Sequence, residues 1–278
     1  MYRVLSGKEP AEAVLMNVKR RAGEINWTPT LGIVLVGEDK ASEIYVENKI
    51  KKAAACGIKT NLHKLPATVS EKELLALIER LNEDRNVDGF IVQSPLPNHI
   101  DETKVMESIN PEKDVDGWTS VNLGRMFIGM NSFLPATPAG VVRMLEYYNI
   151  PIEGRHAVIV GRSNVVGKPL AILLLSKNAT VTICHSKTKN LSEYTRSADI
   201  LIAAVGLPGL IKADMVKKGA VVIDVGITRI GEKIRGDVEF EEVIKKADCS
   251  PVPGGVGPMT VAMLLNNVVL AAERKAKK

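Results

Sequence analysis

Short runs of aliphatic residues alternate with segments in which apolar positions recur at helical spacing. These aliphatic runs are predicted strands, at residues 30–36, 58–65, 89–93, 156–161, 179–184, 199–205 and 220–225. An alternation of strands and helices is typical of an α/β protein with mostly parallel sheets. We expect two domains, because the alternation restarts after a predicted turn at residues 151–154.

The predicted helices have recognisable ends. They cover residues 8–25, 42–56, 70–82, 102–109, 137–149 and 258–276. Ser42 is a candidate N-cap, and Gly57 is a candidate for the end of the same helix. Ser70 and Glu73 form a predicted capping box, in which each side chain binds the other residue's backbone N–H. Apart from the helix at 102–109, residues 94–136 are predicted as a long irregular stretch, and stretches this long are usually either functional loops or wrongly assigned.

Composition limits the class of protein further. The chain has 278 residues, of which only 4% are aromatic, so its core must be aliphatic. No apolar run approaches about 18 residues, so we expect no membrane span, and residues 1–10 lack the apolar segment of a signal peptide. The cysteines Cys56, Cys184 and Cys249 have no metal-ligand spacing, so we expect a reducing compartment and no metal site.

The net charge of +5 is mild and results from 37 Lys and Arg against 32 Asp and Glu. Part of the excess is a basic tail formed by Arg274, Lys275, Lys277 and Lys278. Nucleic-acid binders usually concentrate basic residues on one face or helix, and the rest of the chain has no such run. The charge therefore favours anionic small molecules as ligands and predicts no nucleic-acid partner.

The junction after the strand at 156–161 has features of a dinucleotide site. Gly161 occupies the first position of the Gly-x-Gly-x-x-Gly fingerprint, but Ser163 and Val166 replace the other two glycines, and Gly167 comes one position late. A tight turn without a ligand is the alternative. Because the junction follows an apolar strand and begins a helix, its N–H groups and the helix dipole favour a pyrophosphate.

The end of the next strand bears on the choice of cofactor. NAD sites usually carry Asp or Glu about 20 residues after the glycine turn, whereas this strand ends in Cys184-His185-Ser186-Lys187. Ser186, Lys187 and Arg162 would bind a 2′-phosphate that a carboxylate would repel, so NADP is favoured over NAD. For His185, a contact with the cofactor and a place in an ordinary surface loop are equally good interpretations.

The ends of the two later strands are followed by Gly206, Gly209 and the segment Asp224-Val225-Gly226-Ile227. Ligands of open α/β sheets bind at the carboxyl ends of the strands. Ile227 is therefore a candidate backbone contact for a nicotinamide ring, and ordinary loop structure is the alternative.

Polar positions of the first half are candidates for chemistry. Tyr45 and Lys49 are four residues apart on a predicted helix and share a face. Gln93 closes a predicted strand, and Asp114 and Asp116 lie in the irregular stretch. The two carboxylates could bind a metal, cap a turn or hold a guanidine-like ring. Tyr45 and Lys49 could instead belong to a solvated helix face, and Gln93 could be an exposed strand end. Spacing alone does not decide between these interpretations.

Taken together, these motifs resemble those of the bifunctional methylenetetrahydrofolate dehydrogenase/methenyltetrahydrofolate cyclohydrolase family, over nearly the whole chain. The matching motifs are Tyr45-x-x-x-Lys49, Gln93-x-Pro95-Leu96, Lys113-Asp114-Val115-Asp116-Gly117, Thr137-Pro138, Gly161-Arg162-Ser163-x-x-Val166-Gly167-x-Pro169, His185-Ser186 and Pro251-Val252-Pro253-Gly254-Gly255-Val256-Gly257-Pro258-Met259-Thr260. The last motif is highly specific. The chain departs from the family at Ser94, Ala136 and Trp118, to which the family assigns no chemistry.

The resemblance implies an α/β fold with an N-terminal catalytic domain (residues 1–137 plus 259–278), a C-terminal Rossmann-like NADP-binding domain (residues 138–258) and an active-site cleft between them. It implies NADP-dependent oxidation of 5,10-methylenetetrahydrofolate to 5,10-methenyltetrahydrofolate, and hydrolysis of that product to 10-formyltetrahydrofolate. A homodimer, a cytoplasmic location and a role in one-carbon metabolism and purine biosynthesis are implied as well.

The resemblance also implies roles for single residues. Lys49, hydrogen-bonded to Gln93, would move protons during hydrolysis, while Tyr45 orients the folate and Asp116 pairs with the aminopyrimidine edge of the pterin. These four are the implied catalytic residues. Implied substrate contacts are Tyr45, Lys49, Val92, Gln93, Asp116, Pro253, Gly254, Gly255, Gly257, Pro258 and Thr260. Implied cofactor contacts are Thr137, Gly161, Arg162, Ser163, Val166, His185, Ser186 and Ile227.

Two other interpretations stay open at this point. One is a different NADP dehydrogenase with a preceding substrate domain, similar to shikimate dehydrogenase, and both Lys49 and the segment 253–260 argue against it. The other is a nucleotide-sensing or RNA-binding relative without turnover. The joint presence of Lys49, Gln93 and Asp116 argues against that interpretation.

Overall fold

The strands of the first half form one parallel sheet in a computed structural model, which describes residues 2–231 and 233–277. The strands are β1 (Thr30–Val36), β2 (Lys59–Leu65) and β3 (Gly89–Val92), in the order β2-β1-β3. The central strand β1 is buried at every position. This explains its continuous aliphatic run, because a strand with neighbours on both edges and cover on both faces has no polar side.

The strands of the second half form a second parallel sheet, which consists of β4 (His156–Val160), β5 (Thr180–Cys184), β6 (Ile200–Ala203), β7 (Val221–Asp224) and β10 (Asp248–Cys249). Their order in the sheet is β10-β7-β6-β4-β5. The chain passes from β4 to β5 on one side and then crosses to β6 on the other side of β4. The order of strands therefore reverses between β4 and β6, which is the usual ligand position in a doubly wound sheet.

The helices largely follow the predicted segments. They are α1 (Lys8–Gly23), α2 (Lys40–Ala55), α3 (Glu71–Glu83), α4 (Glu102–Glu107), α5 (Ser120–Phe127), α6 (Ala136–Tyr147), α7 (Gly167–Leu175), α8 (Leu191–Ser197), α9 (Phe240–Val243) and α10 (Val256–Ala276), with a 3₁₀ turn at Ala213–Met215. The capping box of α3 is confirmed, with Glu73 N–H donating to Ser70 Oγ at 3.3 Å and Ser70 N–H donating to Glu73 Oε2 at 3.0 Å.

Some local predictions were wrong. Helix α2 is capped by Asp39, which accepts from the backbone N–H of Ser42 at 2.7 Å, so the helix begins before the predicted cap. Helix α5 lies inside the stretch predicted as irregular, because its eight residues include Gly124 and are too few for a helical pattern to emerge. The exposed antiparallel hairpin β8 (Thr228–Ile230) and β9 (Lys233–Arg235) is likewise too short to show a period.

The described residues divide into two compact units. One contains residues 2–12 and 135–260, and the other contains residues 13–134 and 261–277. The amino-terminal residues join the first of these through Leu5 N–H donating to Cys249 O at 2.9 Å and Gly7 N–H donating to Gly254 O at 2.8 Å. The α/β class with a Rossmann-like second sheet is thus confirmed. The predicted boundaries of the functional domains, 1–137 plus 259–278 and 138–258, stay a prediction, and Lys278 of the basic tail lies outside the described residues.

Helix α10 is longer and more apolar than the expectation of no membrane-spanning stretch implied. Among the described residues it is the one helix long and apolar enough to cross a membrane by length and composition, with a mean hydropathy of 1.3 over an 18-residue window. The expectation that no apolar stretch reaches this length was therefore too strict, because Asn266 and Asn267 interrupt the run without outweighing its aliphatic residues. In the structure 61% of this window is buried, and Leu265, Val268 and Val269 are fully buried.

Asn267 of α10 forms hydrogen bonds to two loops of its unit, one at Val115 and one at Leu134. Its amide Nδ2 donates to the carbonyl of Val115 at 2.8 Å and to the carbonyl of Leu134 at 2.9 Å. Substituting Asn267→Ala leaves both carbonyls without this donor, so we expect the free energy of unfolding to fall by about 2 kcal/mol in urea titrations. The exposed Asn131→Ala is the control, and an equal effect of the two substitutions would contradict the assignment.

Candidate active site

The implied catalytic lysine lies on α2 and is half-buried. Its Nζ donates to Oε1 of Gln93 at 2.9 Å, so the expected hydrogen bond between Lys49 and Gln93 is present. Gln93 follows β3 directly, where its backbone N–H donates to Val34 O at 2.8 Å, and its own Nε2 donates to Ser94 O at 2.7 Å. The end of a rigid strand therefore orients the amide oxygen that holds the amine. Tyr45 lies one helical turn before Lys49 and is 40% exposed.

A buried aspartate shapes the loop that carries Asp116. Asp114 is 1% exposed, and its carboxylate accepts from the backbone N–H groups of Gly117 at 2.9 Å, Trp118 at 3.1 Å and Thr119 at 2.8 Å. These bonds close the turn around Asp116. Sequence reasoning left the role of Asp114 open among metal ligand, turn cap and ring ligand. The structure shows that it caps the turn.

Lys49 and Asp116 influence each other's protonation. Burial lowers the pKa of the Lys49 amine, and the negative charge of Asp116 opposes that shift. Burial likewise raises the pKa of the Asp116 carboxyl, which the charge of Lys49 lowers and that of Asp114 raises. The dominant effect on both groups favours the neutral form. A neutral amine can accept a proton, which an ordinary lysine near neutral pH cannot.

The implied substrate residues divide between the two units. Tyr45, Lys49, Val92, Gln93 and Asp116 lie in the unit of residues 13–134 and 261–277. The other unit contains the remaining substrate contacts, which are Pro253, Gly254, Gly255, Gly257, Pro258 and Thr260. In that unit the hydroxyl groups of Thr260 and Thr137 lie 2.9 Å apart, which joins an implied substrate residue to an implied cofactor residue.

The glycine turn after β4 has the geometry of a nucleotide site. Gly161 has φ +131°, and a Cβ there would lie 2.2 Å from the carbonyl oxygen of Ala204, so only glycine fits this position. Ser163 Oγ accepts from the backbone N–H groups of Val166 at 3.1 Å and Gly167 at 3.4 Å, at the start of α7. The close approach of the backbone and the helix N-terminus fit a pyrophosphate.

The neighbouring strand end carries the residues expected to bind a 2′-phosphate. Gly161 N–H donates to Cys184 O at 2.9 Å, which joins the glycine turn to the end of β5. Arg162 and Ser186 are both exposed, and residues 184–190 contain no acidic side chain. His185 Nδ1 accepts from the backbone N–H of Lys187 at 3.1 Å, so this histidine shapes the loop. The fit to NADP rests on this basic, acid-free end of β5.

Sequence reasoning gave no role to two buried carboxylates near the expected nicotinamide contact, since it named Asp224 only as part of the segment that contains Ile227 and did not name Asp237. Asp224 ends β7 and accepts from the N–H groups of Gly226 at 2.9 Å, Asp237 at 3.0 Å and Val238 at 2.9 Å. Asp237 is completely buried, whereas Ile227 is 48% exposed. Polar residues that close or follow an apolar strand, as in Asp224-Val225-Gly226, were the available signal.

A unit with a nucleotide-type glycine turn, together with a unit that holds a half-buried lysine beside a glutamine, defines an NAD(P)-dependent enzyme with a separate catalytic domain. Two family profiles match the chain, namely the tetrahydrofolate dehydrogenase/cyclohydrolase catalytic domain over residues 5–116 and the NAD(P)-binding domain of the same name over residues 135–276. The chain belongs to the tetrahydrofolate dehydrogenase/cyclohydrolase family. The resemblance seen in the sequence is confirmed.

Individual relatives agree with this assignment over their full length. Bifunctional protein FolD of Moorella thermoacetica is 53% identical over 98% of this chain and 99% of its own. The crystal structure of the bifunctional enzyme FolD from Campylobacter jejuni is 46% identical, with a TM-score of 0.97 over 99% of this chain and 100% of its own. The enzyme of Trypanosoma brucei, solved with NADP cofactor and an inhibitor, is 36% identical, with a TM-score of 0.93 over 100% of this chain and 99% of its own.

The alternative family is similar in fold alone. Shikimate dehydrogenase of Aquifex aeolicus is 14% identical, with a TM-score of 0.56 over 91% of this chain and 100% of its own. This likeness concerns the arrangement of strands and helices. It carries no information about the substrate of this chain.

The buried carboxylates of Asp224 and Asp237 predict a measurable pH dependence of stability. Burial, reinforced by the charge of Asp237, raises the pKa of Asp224 to about 6, against about 3.9 in an unfolded chain. Between these values the folded state binds more protons than the unfolded state, so the contribution of Asp224 to stability falls as pH rises. We expect the difference in free energy of unfolding between the parent and Asp224→Asn to grow by about 2 kcal/mol in favour of the parent, from about pH 7 to about pH 4.5.

Urea unfolding of both proteins at these two pH values measures that difference. Burial, with a smaller contribution from the charge of Asp224, raises the pKa of the Cys249 thiol to about 12, so the thiol does not titrate in this range. A difference that stays constant with pH would show that Asp224 is ionised throughout.

Proposed function

We propose that this enzyme oxidises 5,10-methylenetetrahydrofolate with NADP and hydrolyses the methenyl product to 10-formyltetrahydrofolate, within one-carbon metabolism. The observation that carries the proposal is the half-buried Lys49, held at 2.9 Å by Gln93 and influenced by Asp116. Together they form a proton-transfer site in the unit matched by the catalytic-domain profile. The other unit supplies the nucleotide turn.

The oxidation step requires alignment more than acid or base chemistry. A hydride leaves a methylene carbon flanked by two nitrogens, whose lone pairs stabilise the resulting cation. Bound NADP supplies the hydride acceptor. The task of this chain is to hold the two rings at reacting distance. Gly161, Ser163 and Val166 would hold the pyrophosphate, Arg162 and Ser186 the 2′-phosphate, and Ile227 the nicotinamide end.

The hydrolysis step requires proton transfer. Water adds to the methenyl cation, and its oxygen must lose both protons to become the formyl oxygen. One proton is transferred to a ring nitrogen as the ring opens, and the other is released to solvent. Neutral Lys49 accepts the first proton at Nζ and returns it as the carbon–nitrogen bond breaks. Gln93 Oε1 keeps Nζ in place in both protonation states, because the amine and the ammonium each have an N–H to donate.

Asp116 and Tyr45 act on the folate itself. Asp116 in its ionised form can accept two N–H bonds from an aminopyrimidine edge, in the geometry in which a carboxylate binds arginine, and these bonds oppose the effect of burial on its pKa. The turn capped by Asp114 presents Asp116 for this purpose. Tyr45 is exposed one turn from Lys49 and offers a ring for stacking. The backbone of residues 253–260 would complete the folate contacts.

The proposal includes a cytoplasmic homodimer that supplies one-carbon units for purine biosynthesis. Support for the dimer comes from β5, which lies at an edge of its sheet and exposes Ile183 by 38%, since an unpaired strand edge is available for pairing. Free thiols at Cys56, Cys184 and Cys249 support a reducing compartment. Burial of α10 supports its role as a core helix rather than a membrane span.

Two assays test the proposed activity directly. The purified chain is mixed with methylenetetrahydrofolate and either NADP or NAD, and formation of the reduced cofactor is followed by absorbance. Loss of methenyltetrahydrofolate is followed separately without cofactor. We expect turnover in both assays, with NADP preferred. Absence of turnover with either cofactor would favour the interpretation as a binding protein.

Substituting Lys49→Met removes the proposed proton carrier while keeping the length of the side chain. We expect hydrolysis of methenyltetrahydrofolate to fall by at least about 10²-fold, since general acid–base catalysis contributes about 10²–10⁴-fold. Binding of NADP, measured by calorimetry, should be unchanged. Lys52→Met, an exposed lysine of the same helix, is the matched control. Hydrolysis at the parent rate would show that Lys49 carries no proton.

Replacing Arg162 and Ser186 together by alanine tests the choice of cofactor. The double variant should lose at least about tenfold in affinity for NADP, because charge-assisted bonds to a phosphate contribute about 1.5–3 kcal/mol. Affinity for NAD should change little. Arg155→Ala serves as a control, because this exposed arginine precedes β4 at the opposite end of the strand. Equal losses for the two cofactors would refute the 2′-phosphate assignment.

A further inference from the structure

Asp237 lies buried beneath the loop that follows β6. Its Oδ2 accepts from the backbone N–H of Val205 at 2.6 Å and from that of Gly206 at 3.1 Å. Its Oδ1 is buried and has no hydrogen-bond partner among the described residues. An unpaired oxygen in a fully buried carboxylate costs free energy and calls for an explanation.

The same carboxylate also touches the loop that follows β7. A Cβ built on Gly226 would lie 2.2 Å from both Cγ and Oδ1 of Asp237, so the carboxylate occupies the place where any other residue would carry its side chain. Asp224 Oδ1 binds the backbone N–H groups of Gly226 and Asp237 from the other side. Asp237 therefore joins the two loops, one through hydrogen bonds and one through direct packing.

These loops lie where the nicotinamide end of a dinucleotide belongs. In a doubly wound sheet the pyrophosphate lies at the first glycine turn, here after β4, and the adenosine ribose lies at the end of the second strand, here β5. The rest of the molecule must then extend to the other side of β4. In the order β10-β7-β6-β4-β5 that side is occupied by the ends of β6 and β7.

We propose that Asp237 is a positioning residue for hydride transfer, whose buried carboxylate holds the backbone at Val205, Gly206 and Gly226 in the conformation that places the nicotinamide ring. This inference rests on the proposed NADP-dependent oxidation. Asp237 needs no contact with the cofactor, because it acts through the backbone of the two loops. Hydride transfer is sensitive to this placement, since an error of about 1 Å can cost about 10²-fold in rate.

A role in hydride transfer and a merely structural role predict different results. A structural role would lower stability and reduce oxidation and hydrolysis alike. A positioning role would reduce oxidation alone, because the proposed proton carrier Lys49 belongs to the other unit. It would also make hydride transfer more rate-limiting, which raises the isotope effect measured with deuterium on the methylene carbon.

The experiment uses the full chain and three variants. Asp237→Ala removes both hydrogen bonds and the contact with Gly226. Asp237→Asn keeps an oxygen that can accept from Val205 and Gly206. Gly226→Ala keeps Asp237 but displaces its carboxylate, because the new methyl group has no space. Thr195→Val is the matched control, since Thr195 is a fully buried polar residue of the same unit whose hydroxyl bonds within α8, to Ser192 O at 3.3 Å.

We expect Asp237→Ala and Gly226→Ala each to lower kcat for oxidation by about tenfold or more, to raise the isotope effect and to leave hydrolysis within about twofold of the parent. Asp237→Asn should recover most of the oxidation rate. Thr195→Val should keep both activities.

Equal losses of oxidation and hydrolysis, or an unchanged isotope effect, would overturn the assignment of Asp237. Should Asp237→Ala not fold, Gly226→Ala and Asp237→Asn decide by the same criteria. A parent protein that oxidises methylenetetrahydrofolate while every variant retains the full rate would refute the positioning role alone. A parent without that activity would refute the proposed function, and the positioning role with it.

Discussion

Buried aspartates that accept backbone N–H groups hold the loops on which both proposed activities depend. Parallel strands end at a common edge, and the loops that leave this edge have N–H groups that no sheet or helix satisfies. In one unit Asp114 binds such groups around Asp116. In the other, Asp224 binds the N–H of Gly226, and Asp237 binds those of Val205 and Gly206. Each carboxylate accepts hydrogen bonds from at least two backbone N–H groups, and such bonds are charge-assisted when the carboxylate is ionised. The chemistry then takes place on backbone that is already ordered.

The division of tasks between the units follows from what each reaction needs. Oxidation requires a nucleotide to be held in an extended conformation, which the edge of a doubly wound sheet provides. Hydrolysis requires a base that is neutral near physiological pH, which demands an amine out of water with a fixed acceptor. Burial lowers the pKa of Lys49 in this direction, and Gln93 rather than a carboxylate accepts its hydrogen bond. A carboxylate at that position would raise the pKa of the amine and keep it protonated.

Much of the fold could be predicted because its signals are local. Three such signals depend only on residues close together in the sequence. They are the aliphatic run Thr30–Val36, the capping box of Ser70 and Glu73, and the glycine turn at Gly161. Helix α5 and the hairpin of β8 and β9 escaped prediction, because eight and three residues are too few to show a period. The N-cap of α2 was misplaced because Asp39 and Ser42 are both good caps, and only the course of the backbone selects between them.

The sequence by itself determined the class of fold, the family and the residues that carry its motifs, since strand periodicity and short motifs depend on neighbours along the chain. Tertiary structure decided what those residues meet. Lys49 and Gln93 are 44 positions apart, and Asp237 binds Val205 across 32 positions. No local pattern encodes such distances, because they depend on which strands become neighbours in the sheet. The shifts in pKa have the same origin, because burial is a property of the packed chain and not of the residue.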